Sequence, residues 1–270
     1  MKSRIIVAVL LVPILLIIML FTPSICFAIL VGAIAAIAAH ELITAVNSSA
    51  GRLTTGFAII SAAAIAICAA FGIDVSMFII FCLMVVLFLQ AISAYKTEHE
   101  ISFLEIVMAV FAGGIIPVFL TSLVNLRIMD NGKFYVLIPF VIAFLSDAGA
   151  YFAGITLGKH KLIPRVSPKK TVEGSVGGFA ASIIFMQIYC IVLERFFGFT
   201  VSYPIALIYA ILGSAVTQLG DLAFSMVKRE FDIKDFGKLL AGHGGILDRF
   251  DSMVFVAPLV LILIKWFPVF

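Results

Sequence analysis

The sequence predicts an all-α, polytopic membrane protein with about nine transmembrane helices, and three observations carry that expectation. Hydrophobic residues make up 63% of the 270 and charged residues 12%, at a mean hydropathy of +1.24; a soluble domain averages about 25% charged residues. Apolar stretches recur at the length of ~20 residues that a helix needs to cross the hydrocarbon core of a bilayer. The remaining charges gather between those stretches, above all in two loops at 158–173 and 228–249, which hold ten of the eighteen Lys and Arg residues.

Taken in order, the spans are expected at about 4–21, 25–46, 53–72, 75–95, 102–125, 134–157, 174–194, 202–227 and 250–269. The first opens on Lys2 and Arg4 as a signal peptide would. Its apolar run is longer, and no small-x-small cleavage site precedes the next span, so it reads as a retained helix. Gly51, Gly72 and Asn131 punctuate short turns. Four separate cysteines, Cys26, Cys68, Cys82 and Cys190, show no metal or redox spacing and read as small packed residues. The organisation expected is a single integral membrane domain over 1–270. Within it, the helices of 1–100 have a structural or dimer role and 143–255 form the catalytic region.

Nine spans put the termini on opposite sides, which lets charge decide the orientation. Fourteen of the eighteen basic residues then share the side of the N terminus, and Arg127, Lys133, Arg195 and Lys265 take the other. The positive-inside rule places the N terminus in the cytoplasm and the C terminus outside. Both charged loops, and any site they build, then face the cytoplasm from the inner (cytoplasmic) membrane. No internal repeat of the kind many transporters carry is apparent, and no nucleic acid is expected among the partners.

The stretch from Gln218 to Ser252 concentrates the chemistry, with six of the fifteen Asp and Glu residues. Asp221, Ser225, Lys228 and Arg229 follow at helical spacings that share one face near the end of the eighth span. A carboxylate at that depth requires a partner or a cation; pairing with Lys228 or Arg229 is the simpler alternative. Asp248 and Asp251, with Arg249 between them, lie one turn apart at the start of the ninth span. Such a pair either caps the helix N terminus or, with Asp221, holds a hard cation such as Mg²⁺, which takes carboxylate and phosphate oxygens.

Gly242, His243, Gly244 and Gly245 form a turn between these helices whose backbone can approach an anion. His243 is either a phosphate donor or acid–base group, or a plain turn histidine. In the other loop Ser167, Lys169, Lys170 and Thr171 offer donors and positive charge to a phosphate, unless they form a polybasic segment attracting anionic lipid. Glu173 suits a cap or a lysine partner, and Gly174, Gly177 and Gly178 suit a close helix contact. Asp147, midway along the sixth span, is expected to face the same polar cavity. His40, Glu41 and Glu105 read as pairing or interfacial residues.

The run Ser225-x-Val227-Lys228-Arg229-x4-Lys234-Asp235, followed by His243-Gly244-Gly245-Ile246-x-Asp248-Arg249-Phe250-Asp251, resembles the pattern of bacterial phosphatidate cytidylyltransferases, or CDP-diacylglycerol synthases. The upstream Ser167-to-Gly174 and Ser146-to-Tyr151 stretches are similar to that family too, so the resemblance is strong over about 143–255. Ala241 stands where the family often has Pro, and Phe224 where many members have Glu.

The resemblance implies that CTP and phosphatidic acid give CDP-diacylglycerol and pyrophosphate. It also implies a requirement for Mg²⁺, a second cation (K⁺) beside it, and a homodimer in the lipid membrane. On that expectation Asp221, Asp248 and Asp251 ligate the metal. Lys169, Lys170, Lys228, Arg229, Lys234 and Arg249 grip phosphates, while Ser167, Thr171, Glu173, Ser225, Asp235, Gly244, Gly245 and Asp147 complete the substrate site. The rival readings are an ion-coupled transporter and another membrane phosphotransferase; the DGxxAR motif of CDP-alcohol phosphotransferases is absent.

Overall fold

The computed structural model describes residues 13–46, 51–97, 100–239 and 244–270. They form an α-helical, polytopic membrane protein in which seven helical spans of 18–28 residues are long and apolar enough to cross a bilayer. After a helical stretch at 13–21 (α1) come α2 (Ser24–Val46), α3 (Arg52–Ala69) and α4 (Ser76–Ser93). Next are α5 (Phe103–Val110), a π-helical turn (Phe111–Ile115), α6 (Ile116–Ile128), α7 (Gly132–Tyr135) and α8 (Leu137–Leu157). A short hairpin of β1 (Lys161–Ile163) and β2 (Ser167–Thr171) leads into α9 (Val172–Phe197), α10 (Tyr203–Glu230) and α11 (Leu247–Trp266).

The seven spans fall within a few residues of the expected ones. Much of the expected 4–21 span lies outside the described residues. The last expected span is α11, whose first turns carry Asp248, Arg249 and Asp251 and are too charged for lipid.

Two local departures have physical causes. The expected 102–125 span is broken by the π-helical turn, because Pro117 has no N–H to give the carbonyl of Gly113 four residues back. The Ser61 hydroxyl from α3 donates to that carbonyl at 2.6 Å instead. The loop expected at 158–173 folds into an antiparallel hairpin, with Lys161 opposite Thr171 and Ile163 opposite Ser167. The hairpin is pinned at its base by the Val172 N–H on the His160 carbonyl at 2.9 Å.

The chain divides into two compact units, 1–133 with 233–250 and 134–232 with 251–270. In the first, α2, α3 and α6 share a core of Phe27, Val31, Leu42, Ala62, Leu120 and Val124, all buried. The buried Arg127 side chain donates to the carbonyls of Met19 at 2.7 Å and Thr22 at 3.0 Å, closing the end of α1. In the second, α8 and α9 meet along small residues. A Cβ on Gly149 would collide with Ala181, and one on Gly177 with Ala153, which is the close approach the glycine spacing implied. Met77 and Phe78 on α4 are 80% and 67% exposed, as lipid-facing residues are.

Candidate functional site

Three elements of the second unit, α8, the hairpin with the start of α9, and α10, surround a cavity of about 520 Å³. Its charged lining is Asp147 from α8, Lys161 and Lys169 from the two strands, Lys170, and Asp221 from α10. The Lys170 ammonium pairs with the Asp221 carboxylate, and both side chains keep about a quarter to a third of their surface in solvent (25% and 32%). The Ser225 hydroxyl donates to Asp221 Oδ1 at 3.4 Å. The partner of Asp221 is thus a lysine from the other charged stretch, which the helical spacing to Lys228 and Arg229 did not indicate.

A polar ladder stands behind this pair. Ser146 and Ser214 share a hydrogen bond of 2.8 Å, and Gln218 donates to Ser214 Oγ at 3.3 Å. Gln218 also accepts the Ser175 hydroxyl at 2.5 Å. Ser175, Thr171 and Gln218 line the cavity, whose apolar walls include Tyr151 and Ile155, 64% and 66% exposed. The site therefore has a polar floor, a rim of lysines and an apolar flank.

The hairpin is held in place by its ends. Thr171 is the N-cap of α9 and accepts the Gly174 N–H at 3.1 Å. The Glu173 carboxylate accepts the backbone N–H groups of Lys159 at 3.1 Å and His160 at 3.2 Å, and meets His160 Nδ1 at 2.6 Å. Where the sequence offered a cap or a lysine partner for Glu173, the carboxylate takes a histidine and two backbone donors. Arg229 Nε donates to the Val166 carbonyl at 3.3 Å, tying the end of α10 to the hairpin turn. Ser167 opens β2, and Lys228 is buried in the last turn of α10.

Asp251 also lies in the second unit and is buried, with Oδ1 accepting the Ser252 N–H at 2.7 Å. α10 and α11 touch there: a Cβ on Gly220 would come within 3.0 Å of the Asp251 carbonyl oxygen. Asp221 follows Gly220 directly, so the two aspartates sit at one level of adjoining helices.

In the first unit, Asp248 Oδ2 accepts the N–H groups of Phe236 and Gly245, each at 2.9 Å. Gly244 has a φ of +80° and lies between the carboxylates of Asp248 and Asp235. A left-handed φ and this crowding both require glycine there. Lys234, Asp235 and Arg249 are exposed, and His243 lies outside the described residues. Among the described residues no group of three or more His, Cys, Asp or Glu side chains is gathered as a metal site.

Two features were missed by sequence reasoning. Ser214 and Gln218 extend the polar stripe of Asp221 and Ser225 backward at helical spacing, a signal that could have been followed. Glu41, expected as a pairing or interfacial residue, is buried and accepts the N–H groups of Ile246 at 3.0 Å and Leu247 at 2.9 Å. Nothing local in its sequence marks that role. Glu105 forms a capping box with Ser102.

The chain is 48% identical over 135 residues to the phosphatidate cytidylyltransferase of Staphylococcus saprophyticus, a match covering 50% of each chain. It is 41% identical over 145 residues to that of Bacillus subtilis, covering 53% of this chain and 52% of the relative. With that of Staphylococcus aureus (strain COL) the figure is 46% over 135 residues, 50% of each. The chain spans about half the length of the curated relatives it matches. The family described as Cytidylyltransferase matches residues 2–267, so this chain belongs to the cytidylyltransferase family.

Proposed function

We propose that this chain is a phosphatidate cytidylyltransferase that joins CTP and phosphatidic acid into CDP-diacylglycerol and pyrophosphate. The observation that carries the reading is the cavity of the second unit, where Lys161, Lys169 and Lys170 face a polar floor beside an apolar flank. A ligand with anionic phosphates and hydrocarbon chains suits such a lining. The relatives' names point to the same substrate class.

In the reaction a phosphate oxygen of phosphatidic acid forms a bond to the α-phosphorus of CTP. The bond from that phosphorus to the oxygen bridging to the β-phosphate breaks, and pyrophosphate leaves with the electron pair. The nucleophile is already an anion at neutral pH, so no side chain has to remove a proton. The demand on the protein is to bring two polyanions together and offset their charge. Lys161, Lys169 and Lys170 supply that charge from the hairpin; Lys228, Arg229, Lys234 and Arg249 are the further cations proposed to grip phosphates. Tyr151 and Ile155 offer an apolar surface to the acyl chains.

Asp221, Asp248 and Asp251 are the carboxylates proposed to hold magnesium, a hard cation that takes carboxylate and phosphate oxygens. When bound, it would neutralise phosphate charge; potassium is the proposed second cation. The proposal extends to a homodimer in the inner membrane, with the N terminus and the site on the cytoplasmic side, a placement supported by the distribution of basic residues. The test is conversion of labelled CTP by purified protein with phosphatidic acid in mixed micelles. CDP-diacylglycerol should form with Mg²⁺ and stop with chelator. No product in Mg²⁺ overturns the reaction, and product without any divalent ion overturns the metal.

A further inference from the structure

We propose that Glu41, on α2, is a positioning residue that sets the first turn of α11 and thereby Asp248. The inference rests on the functional reading above, in which Asp248 is one of the carboxylates around magnesium. Three observations support it, all within the first unit.

Glu41 is 5% exposed, and its two oxygens divide between neighbouring donors, Oε1 taking the Ile246 N–H at 3.0 Å and Oε2 the Leu247 N–H at 2.9 Å. The first N–H groups of a helix have no acceptor within it, and negative charge is favoured at that end. Glu41 thus caps α11 from a helix some 205 residues away in sequence.

The chain is shaped to admit that carboxylate. A Cβ at Gly237 or Gly245 would collide with the Glu41 carboxyl group. The loop therefore wraps closely around Glu41 on both sides of residues 240–243. Finally, Asp248 takes the N–H groups of Phe236 and Gly245. Glu41 and Asp248 thus take two backbone N–H groups each. Moving Glu41 would release the two residues directly before Asp248.

The test uses the full chain in detergent, with Glu41→Gln as the main variant and Gly237→Ala as an independent one that displaces the carboxylate from the other side. Three quantities are read: hydrogen exchange at the Ile246 and Leu247 amides, Mn²⁺ affinity by its paramagnetic resonance signal, and CTP turnover. In both variants exchange at those amides should accelerate at least about tenfold, and Mn²⁺ affinity should fall about tenfold or more, as loss of a residue orienting a metal ligand does.

Native exchange at these amides in both variants overturns the inference. Faster exchange with native Mn²⁺ affinity overturns the positioning role and leaves Glu41 a structural cap. If Glu41→Gln does not fold, Gly237→Ala decides. If the unaltered protein neither binds Mn²⁺ nor turns over CTP, the functional reading fails, and the exchange measurement alone decides whether Glu41 holds the turn.

Discussion

Glu41 and Asp248 of the first unit and Asp221 of the second are used in opposite ways. In the first unit Glu41 and Asp248 are buried and face backbone N–H groups. In the second, Asp221 stays partly in solvent and faces the ammonium of Lys170 at the edge of a cavity. Backbone donors cannot leave, so a carboxylate bound to them is a fixture. A lysine on a flexible stem can swing to an arriving phosphate, so its partner is exchangeable. The contrast separates acids whose position the backbone fixes from an acid whose partner can be exchanged.

The sharpest way to break that contrast is to remove a working acid. Asp221→Asn should lower CTP turnover by about 10²- to 10³-fold or more, the scale of losing one preorganised electrostatic group. Its thermal unfolding in detergent should hardly move, because a partly exposed pair contributes about 0–1 kcal/mol. Lys170→Ala should act in the same direction, mainly by raising KM for CTP. Turnover within a few-fold of native in Asp221→Asn would place Asp221 among the fixtures.

Removing a fixture should lower stability as well as turnover. Asp248→Ala leaves the N–H groups of Phe236 and Gly245 without their acceptor in a buried setting. At about 1–3 kcal/mol for each of the two unsatisfied buried donors, the loss of stability should be about 2–6 kcal/mol. A chemical denaturation series would read it directly. A variant as stable as native, yet inactive, would mean that Asp248 serves the chemistry alone.

How far the sequence disclosed these roles follows from the range of the interactions. The helices were legible because apolar length and helical period are local properties, and Asp221 with Ser225 emerged from the same period. The Lys170 partner of Asp221 was hidden, since it depends on a hairpin folding back from 161–171 towards α10. The cap on α11 was hidden more deeply, because Glu41 reaches its donors only after α2 and the acidic loop have packed together. The break at Phe111–Ile115 was within reach, as Pro117 announces an orphan carbonyl at Gly113, though the answering hydroxyl of Ser61 comes from another helix.

The smallest effect expected concerns the junction between the two kinds of acid use. Thr171 lines the cavity, yet its hydroxyl oxygen is committed to the Gly174 N–H as the N-cap of α9. Thr171→Ala should therefore cost about 1 kcal/mol, as lost caps do, while Thr171→Ser should restore it. Because the hairpin carrying Lys161, Lys169 and Lys170 ends at this residue, the fraying should appear first as faster hydrogen exchange in β2 and the first turn of α9. KM for CTP should rise only a few-fold, since the Lys170 to Asp221 contact remains available. A large drop in kcat, not rescued by serine, would instead show that the methyl group touches substrate, and Thr171 would move from the scaffold to the working groups.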